Sequence, residues 1–319
     1  MSALTHVTMP QPEAADDRAA VLGILEAAYG PGVLRGEVLD WLYELNPVGP
    51  AARVVGSTEL GDRVSFAAAV PQRWAHADGR TPTIGLVVNI AISPDGRGRG
   101  GTGGLLRQLM EAGRERGWDS VWGAANDLSV GGLLKLPEYS LFRQMDTYLL
   151  PPGRRADRAE VTRLSATPGR WLLTSEAESG FELLEPAPRW GFAQRWQPDT
   201  LAWRLSRPGQ RYALYQGPDA SVVALRRRVA GLPVCVVAKI LPHRGVTQVR
   251  AETLIDAVRS AERCVAAVYV GWNSRVRAPA NRVPRRFLPS GLNVGGFDTS
   301  NGTWGWDVET YELLEGDQL

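Results

Sequence analysis

Cysteine is almost missing from this chain of 319 residues: Cys235 and Cys264 are the whole supply, both in apolar surroundings. Their number and spacing fit neither a disulfide framework nor a zinc site, so both are expected to be buried free thiols. Lysine is just as scarce, because among 36 basic residues only Lys135 and Lys239 are lysines. That skew reads as a coding bias and not as a phosphate signature. An excess of positive charge is also lacking: the net charge is +2 against 34 acidic residues, which argues against a nucleic-acid partner. No apolar run approaches the roughly 20 residues of a membrane helix. The acidic start, MSALTHVTMPQPEAADDRAA, has no basic region and no apolar core, so it is no signal peptide. A cytoplasmic protein without membrane partners is the expectation.

What is present is enough apolar residue, 44%, for two cores. Val21, Ile24, Leu25 and Ala28 stand at helical spacing in 16–29, and a second helix over 36–45 stops at Asn46-Pro47. Strands follow over 52–57, 64–70, 73–77 and 84–92, with a turn at Asp78-Gly79. Leu105, Leu106, Leu109 and Met110 then form one helical stripe that Gly113 or Gly117 closes, and a strand covers 119–125. After a short segment over 131–136, a last strand runs around 142–150. The fold class is therefore α/β with a mixed sheet. Pro151-Pro152-Gly153-Arg154-Arg155 breaks every period, placing a boundary between domains 1–150 and 151–319. The second half echoes the first in order: a tryptophan, a proline and an alternating strand from Asp40 recur from Leu201, and Gly123–Ser129 (GAANDLS) is echoed by Gly271–Arg275 (GWNSR). An internal duplication explains this shared order.

Between strand and helix lies SPDGRGRGGTGGLL, Ser93–Leu106, with six glycines and two arginines. Gly98-x-Gly100-x-x-Gly103 formally meets the dinucleotide fingerprint, yet five residues separate the preceding strand from its first glycine, and the antiparallel strands before it do not suit a doubly wound sheet. Unpaired N–H groups at a helix N-terminus bind anions, and glycines let a pyrophosphate touch the main chain. The run Pro94-Asp95-Gly96-Arg97-Gly98-Arg99-Gly100-Gly101-Thr102 resembles the pyrophosphate loop of the Gcn5-related N-acetyltransferase superfamily, with Thr102 where glycine or alanine is usual. The resemblance implies two tandem acyltransferase-like domains, the first binding acetyl-CoA or another acyl-CoA through Ile92, Arg97, Gly98, Arg99, Gly100, Gly101, Thr102 and Gly103, with Asn126 on the pantetheine arm. His243–Thr247 stands at the corresponding loop of the second half with one glycine, which implies a degenerate copy that helps shape the acceptor site between the halves.

Acyl transfer from a thioester to an amine needs a polarised carbonyl, a deprotonated amine and a proton for the thiolate. By the same resemblance the Ile92 amide meets the carbonyl. The superfamily's usual tyrosine is replaced by Leu133, which leaves Tyr139 as the candidate substitute acid, with a structural place at an apolar strand entry as its alternative role. Asp127 is the nearest candidate base, with a helix N-cap as its alternative role. Asn89 stands where a carboxylate could have served. The acceptor is expected to be a small polar amine of secondary metabolism, such as an aminosugar. Two rivals stand beside this reading: an inactive acyl-CoA-binding regulatory or scaffold protein, and a nucleotide-cofactor oxidoreductase.

Overall fold

The computed structural model describes residues 4–8, 15–32, 34–97, 101–152, 159–165, 167–174, 187–288, 290–299 and 306–316. In chain order its elements are β1 (Thr5–Thr8), α1 (Ala15–Tyr29), α2 (Gly36–Tyr43), β2 (Ala52–Ser57), β3 (Arg63–His76), β4 (Thr83–Ile92), α3 (Gly101–Glu115), β5 (Ser120–Asn126) and α4 (Asp127–Leu133). Next come β6 (Tyr139–Gln144), β7 (Thr147–Leu150), β8 (Thr162–Ser165), α5 (Pro168–Trp171), β9 (Phe192–Gln194), α6 (Pro198–Leu205), β10 (Tyr212–Gln216), β11 (Ala220–Val229) and β12 (Leu232–Pro242). The rest are β13 (Val249–Arg250), α7 (Ala251–Ala261), β14 (Ala266–Asn273), β15 (Val276–Arg277), β16 (Leu292–Asp298) and β17 (Thr310–Glu312).

The mixed α/β class holds. The chain forms two compact units, but they are not consecutive halves: unit 1 comprises 1–73, 82–142 and 293–305, and unit 2 the remainder. The proline-rich break at 151–155 thus falls inside unit 2, and a C-terminal strand belongs to unit 1. Only hydrogen bonding across the sheet reveals this. The order in unit 1 is β1-β2-β3-β4-β5-β16-β6. Three side chains hold β16 beside β5: Ser120 Oγ donates to the Phe297 carbonyl (2.7 Å), Asn293 Nδ2 to the Ala125 carbonyl (3.2 Å) and Thr299 Oγ1 to the Trp118 carbonyl (2.6 Å). Gly296 is obligatory here, since a Cβ would lie 2.3 Å from the Trp122 ring and 2.8 Å from the Val121 carbonyl.

The helical stripe of α3 is buried as its spacing requires, with Leu105, Leu106, Leu109 and Met110 packed on Ala67, Ala69 and Val121. Gly117, at φ +72°, ends the helix: its N–H returns to the Arg114 carbonyl and that of Trp118 to the Gly113 carbonyl, both at 2.9 Å. The strands expected over 64–70 and 73–77 are one strand, β3, that runs through Pro71. β2 stops pairing at Ala52↔Ala69, so the ring lies beyond its partner and the missing donor breaks no ladder bond. Asn46 Nδ2 meets the Pro71 carbonyl there at 2.8 Å.

Unit 2 repeats the element order of unit 1. Helix, three antiparallel strands, helix and parallel strand are α2-β2-β3-β4-α3-β5 in one and α6-β10-β11-β12-α7-β14 in the other. The third strand carries a bulge in both: Val88 is the extra residue opposite Ala68/Ala69, and Ala238 the extra one opposite Val223/Ala224.

Candidate active site

The bulge at Val88 resets which way the backbone of β4 points. The Ser93 N–H donates to the Val64 carbonyl of β3 (2.8 Å), and in an antiparallel ladder successive residues alternate their hydrogen-bonding side. The N–H groups of Ile92 and Ile90 therefore face away from β3. On that side β5 pairs with β4 only over Ile84–Leu86, while β4 runs on to Ile92 and β5 to Asn126. Gly123 sits at the parting point, where a Cβ would come within 3.3 Å of Val87. Two parallel strands that separate leave a wedge along whose β4 wall the backbone N–H groups are not taken up by β5. The family resemblance points to Ile92; the structure turns Ile90 to the same wedge, one pleat deeper, which follows from the bulge.

Because β4 and β5 run parallel, their C-terminal ends, Ile92 and Asn126, lie at one edge of the sheet, where α3 also begins. Gly98, Arg99 and Gly100 lie outside the described residues. Arg97 is exposed, Gly101 opens α3, and Thr102 is exposed in its first turn, which holds no acidic residue. Gly103 faces only the Leu136 side chain, at 3.5 Å from an added Cβ. Not every glycine serves the opening: a Cβ on Gly96 would meet the Val64 carbonyl at 2.9 Å and Ile92 Cγ2 at 3.0 Å, so packing against β3 requires it. A helix start without acidic residues, an exposed arginine and backbone N–H groups that β5 leaves to other acceptors suit a phosphate followed by an extended, amide-bearing arm.

The helix cap beyond β5 is Asn126 and not Asp127: its Oδ1 accepts the Ser129 N–H at 2.9 Å, so α4 starts four residues before the expected segment. Asp127 is exposed, and its Oδ1 accepts from Asn293 Nδ2 at 3.0 Å. Tyr139 lies in the core with Leu105, Leu133 and Phe297, its hydroxyl buried without a hydrogen-bond partner. Burial pushes that phenol up to about 12. Asn89 is buried and donates to Tyr43 Oη (2.7 Å). The wedge does contain one hydroxyl that the sequence did not suggest. Tyr29 Oη donates to the Ile90 carbonyl at 2.7 Å and accepts from the Ile90 N–H at 3.3 Å.

Removing the Tyr139 hydroxyl separates packing from chemistry. Tyr139→Phe is expected to keep or raise stability at neutral pH by up to about 1 kcal/mol, because a buried unpaired polar group disappears. The unfolded phenol ionises near 10 and the folded one near 12, so its contribution is fully present below pH 10 and fades as pH rises to about 12. Chemical denaturation at pH 7 and pH 11 checks both signs, and turnover of the same variant tests the acid role.

In unit 2 the corresponding wedge is filled. β12 and β14 pair over Val234–Val237 and Ala266–Tyr269, then part. β17 pairs with Gly271–Asn273 of β14, and the Leu314 N–H donates to the carbonyl of the bulge residue Ala238 (3.0 Å). Glu312 Oε1 accepts the Ile240 N–H at 3.1 Å, the counterpart of the Ile90 amide, and Asn273 Nδ2 reaches the Ile240 carbonyl at 3.2 Å. Lys239, the counterpart of Asn89, pairs with Glu312 at 3.0 Å and with Glu315. Among the tryptophans of unit 2, Trp196 is buried in the core, and Trp190 lines a cavity of about 220 Å³ with Trp272 and Tyr148.

No protein-family model matches the chain, and no curated protein matches it in sequence. Solved structures do match. A GCN5-related N-acetyltransferase from Anabaena variabilis is 9% identical over 93% of this chain and 73% of its own, at a TM-score of 0.61. A probable N-acyltransferase from Enterococcus faecalis, described as a conserved protein of unknown function, is 12% identical over 94% and 73%, at 0.59. A GCN5-related N-acetyltransferase from Kribbella flavida is 14% identical over 93% and 72%, at 0.57. The fold is that of the GCN5-related N-acetyltransferases, and the likeness spans both units. Among the described residues no helix is long and apolar enough to cross a membrane.

Proposed function

We propose that unit 1 is an acyl-CoA-dependent N-acyltransferase that moves an acetyl or other acyl group to the primary amine of a small polar metabolite. The observation that carries this reading is the wedge: the Ile90 and Ile92 amides face a gap that a diverging strand leaves open, and α3 begins at the same edge. The N-terminus of α3, with Gly101, Thr102 and Gly103, would take the pyrophosphate, and Arg97 would add charge beside it; Gly98, Arg99 and Gly100 complete that loop in sequence. Asn126, spent on capping α4 through Oδ1, keeps its amide N–H groups for the pantetheine arm. The thioester brings an activated carbonyl. An N–H of β4 aimed at its oxygen stabilises the charge that develops there, and direct attack by the bound amine needs no protein nucleophile. Asp127, exposed beside the wedge, is the candidate to relieve the amine of its proton.

The rival reading, an acyl-CoA-binding protein without catalysis, is favoured by one observation: the Tyr139 hydroxyl is sealed in the core, so the residue nearest in sequence to the usual acid has no path to a sulfur. Calorimetry with acetyl-CoA, octanoyl-CoA and NADH, followed by thiol release over a panel of amines, decides. Acyl-CoA binding at one site per chain with amine-dependent thiol release is the expected result. Binding without release supports the rival, and a preference for NADH overturns both.

A further inference from the structure

We propose that Tyr29 is a catalytic residue of unit 1, the proton donor to the departing thiolate; this rests on the acyltransferase reading above. Tyr29 is the last residue of α1, and its ring carries the hydroxyl to the stretch of β4 that pairs with β3 on one side and is left by β5 on the other. There Oη holds the Ile90 peptide at both ends, 2.7 Å from the carbonyl oxygen and 3.3 Å from the nitrogen. The shorter bond fixes the hydroxyl, and the longer, weaker one leaves the N–H available to a better acceptor. An acyl oxygen that takes this N–H comes to rest beside Oη, with the thioester sulfur two bonds further on. A donor must lie within hydrogen-bond reach of the atom it protonates, and Tyr29 is placed for that.

The other groups near the wedge are unsuited. Tyr139 is enclosed by Leu105, Leu133 and Phe297. Tyr43 is 2% exposed and already accepts from Asn89. Asp127 is the candidate to take the proton of the amine, and its Oδ1 already accepts from Asn293 Nδ2. Tyr29 is 43% exposed, so water can return its proton after each turnover. In the step, the amine lone pair forms the C–N bond and the C–S bond breaks with its electron pair on sulfur. Sulfur then takes the Tyr29 proton; water reprotonates the phenolate, and the surplus proton of the amine passes to solvent.

The test is Tyr29→Phe, which keeps the ring and so keeps the packing at the end of α1. Acetyl-CoA affinity is measured by calorimetry, and thiol release from acetyl-CoA is followed with the amine panel and with hydroxylamine, a nucleophile small enough to need no acceptor pocket. Affinity within about threefold of the parent, with kcat lowered about 100-fold, is the expected result. A variant whose kcat stays within twofold of an active parent overturns the role of Tyr29 alone. Loss of affinity in step with rate also overturns it, since Tyr29 would then serve binding. A parent that binds no acetyl-CoA, or binds it and releases no thiol with any nucleophile, overturns the acyltransferase reading and this inference with it.

Discussion

Replacing Lys239 by methionine is expected to destabilise the protein by about 3–5 kcal/mol, a large part of the roughly 5–15 kcal/mol that holds an ordinary domain together. Lys239, Glu312 and Glu315 are almost fully buried, at 1%, 0% and 0% exposure. One ammonium faces two carboxylates, and the site is tolerable because every oxygen has a donor. Glu312 accepts from the Ile240 N–H, Asn273 Nδ2 and Lys239, while Glu315 accepts from the Glu312 N–H (2.9 Å) and Lys239. Arg204, 2% exposed, clamps the same segment through the Leu314 carbonyl at 3.1 Å and the Gly316 carbonyl. Methionine preserves volume but leaves two buried carboxylates with no cation.

The pH dependence of the loss has a definite sign. Burial first, and then Glu315, push the Glu312 carboxyl above its ordinary 4.5, while Lys239 pulls it back down. A carboxyl whose folded value is raised contributes stability that is fully present below its unfolded value and lost as pH rises through the folded one. Without Lys239 the raise grows, so the deficit of the variant is largest near neutrality and shrinks on acidification toward pH 4.5. Urea midpoints of parent and variant across pH 4.5–8 check this. Adding Glu312→Gln and Glu315→Gln to the methionine variant should recover most of the loss. A single variant with an unchanged midpoint would mean that the segment contributes nothing to the fold of unit 2.

That network also shows what could be read in the sequence. In a chain with only two lysines, the one at an apolar strand position stands out: its ammonium is a compact point charge that meets two buried carboxylates at once. Periodicity disclosed α3, the strands around it and the repeated order of elements, because each depends on neighbours in sequence. The bulges at Val88 and Ala238, the parting of β4 from β5 and the entry of β16 into unit 1 depend on which strands meet, and no local pattern encodes that. For the same reason Ile92 was legible, being adjacent to the loop, while Ile90 and Tyr29 were not: Tyr29 is 61 residues from the peptide that it holds.

Thr102→Asp is expected to abolish tight acyl-CoA binding while leaving the fold intact. Gly100→Asp tests the same loop, but Gly100 lies outside the described residues, whereas Thr102 is an exposed residue in the first turn of α3. A carboxylate there interacts favourably with the helix dipole, by about 0.3–1 kcal/mol, so the melting temperature should hold or rise slightly. The same charge beside a pyrophosphate is repelled, and its oxygens compete for the helix's own N–H groups. A fall of about 100-fold in acetyl-CoA affinity, near 2.7 kcal/mol, is the expected size. Thr102→Asn, of equal shape and no charge, should stay within about threefold of the parent, which isolates charge from bulk. The defect should narrow with added salt, since the position is exposed. Equal affinity in parent and aspartate variant would mean that α3 does not hold the phosphates; the wedge at Ile90 and Ile92 would then have to accept a ligand that carries none.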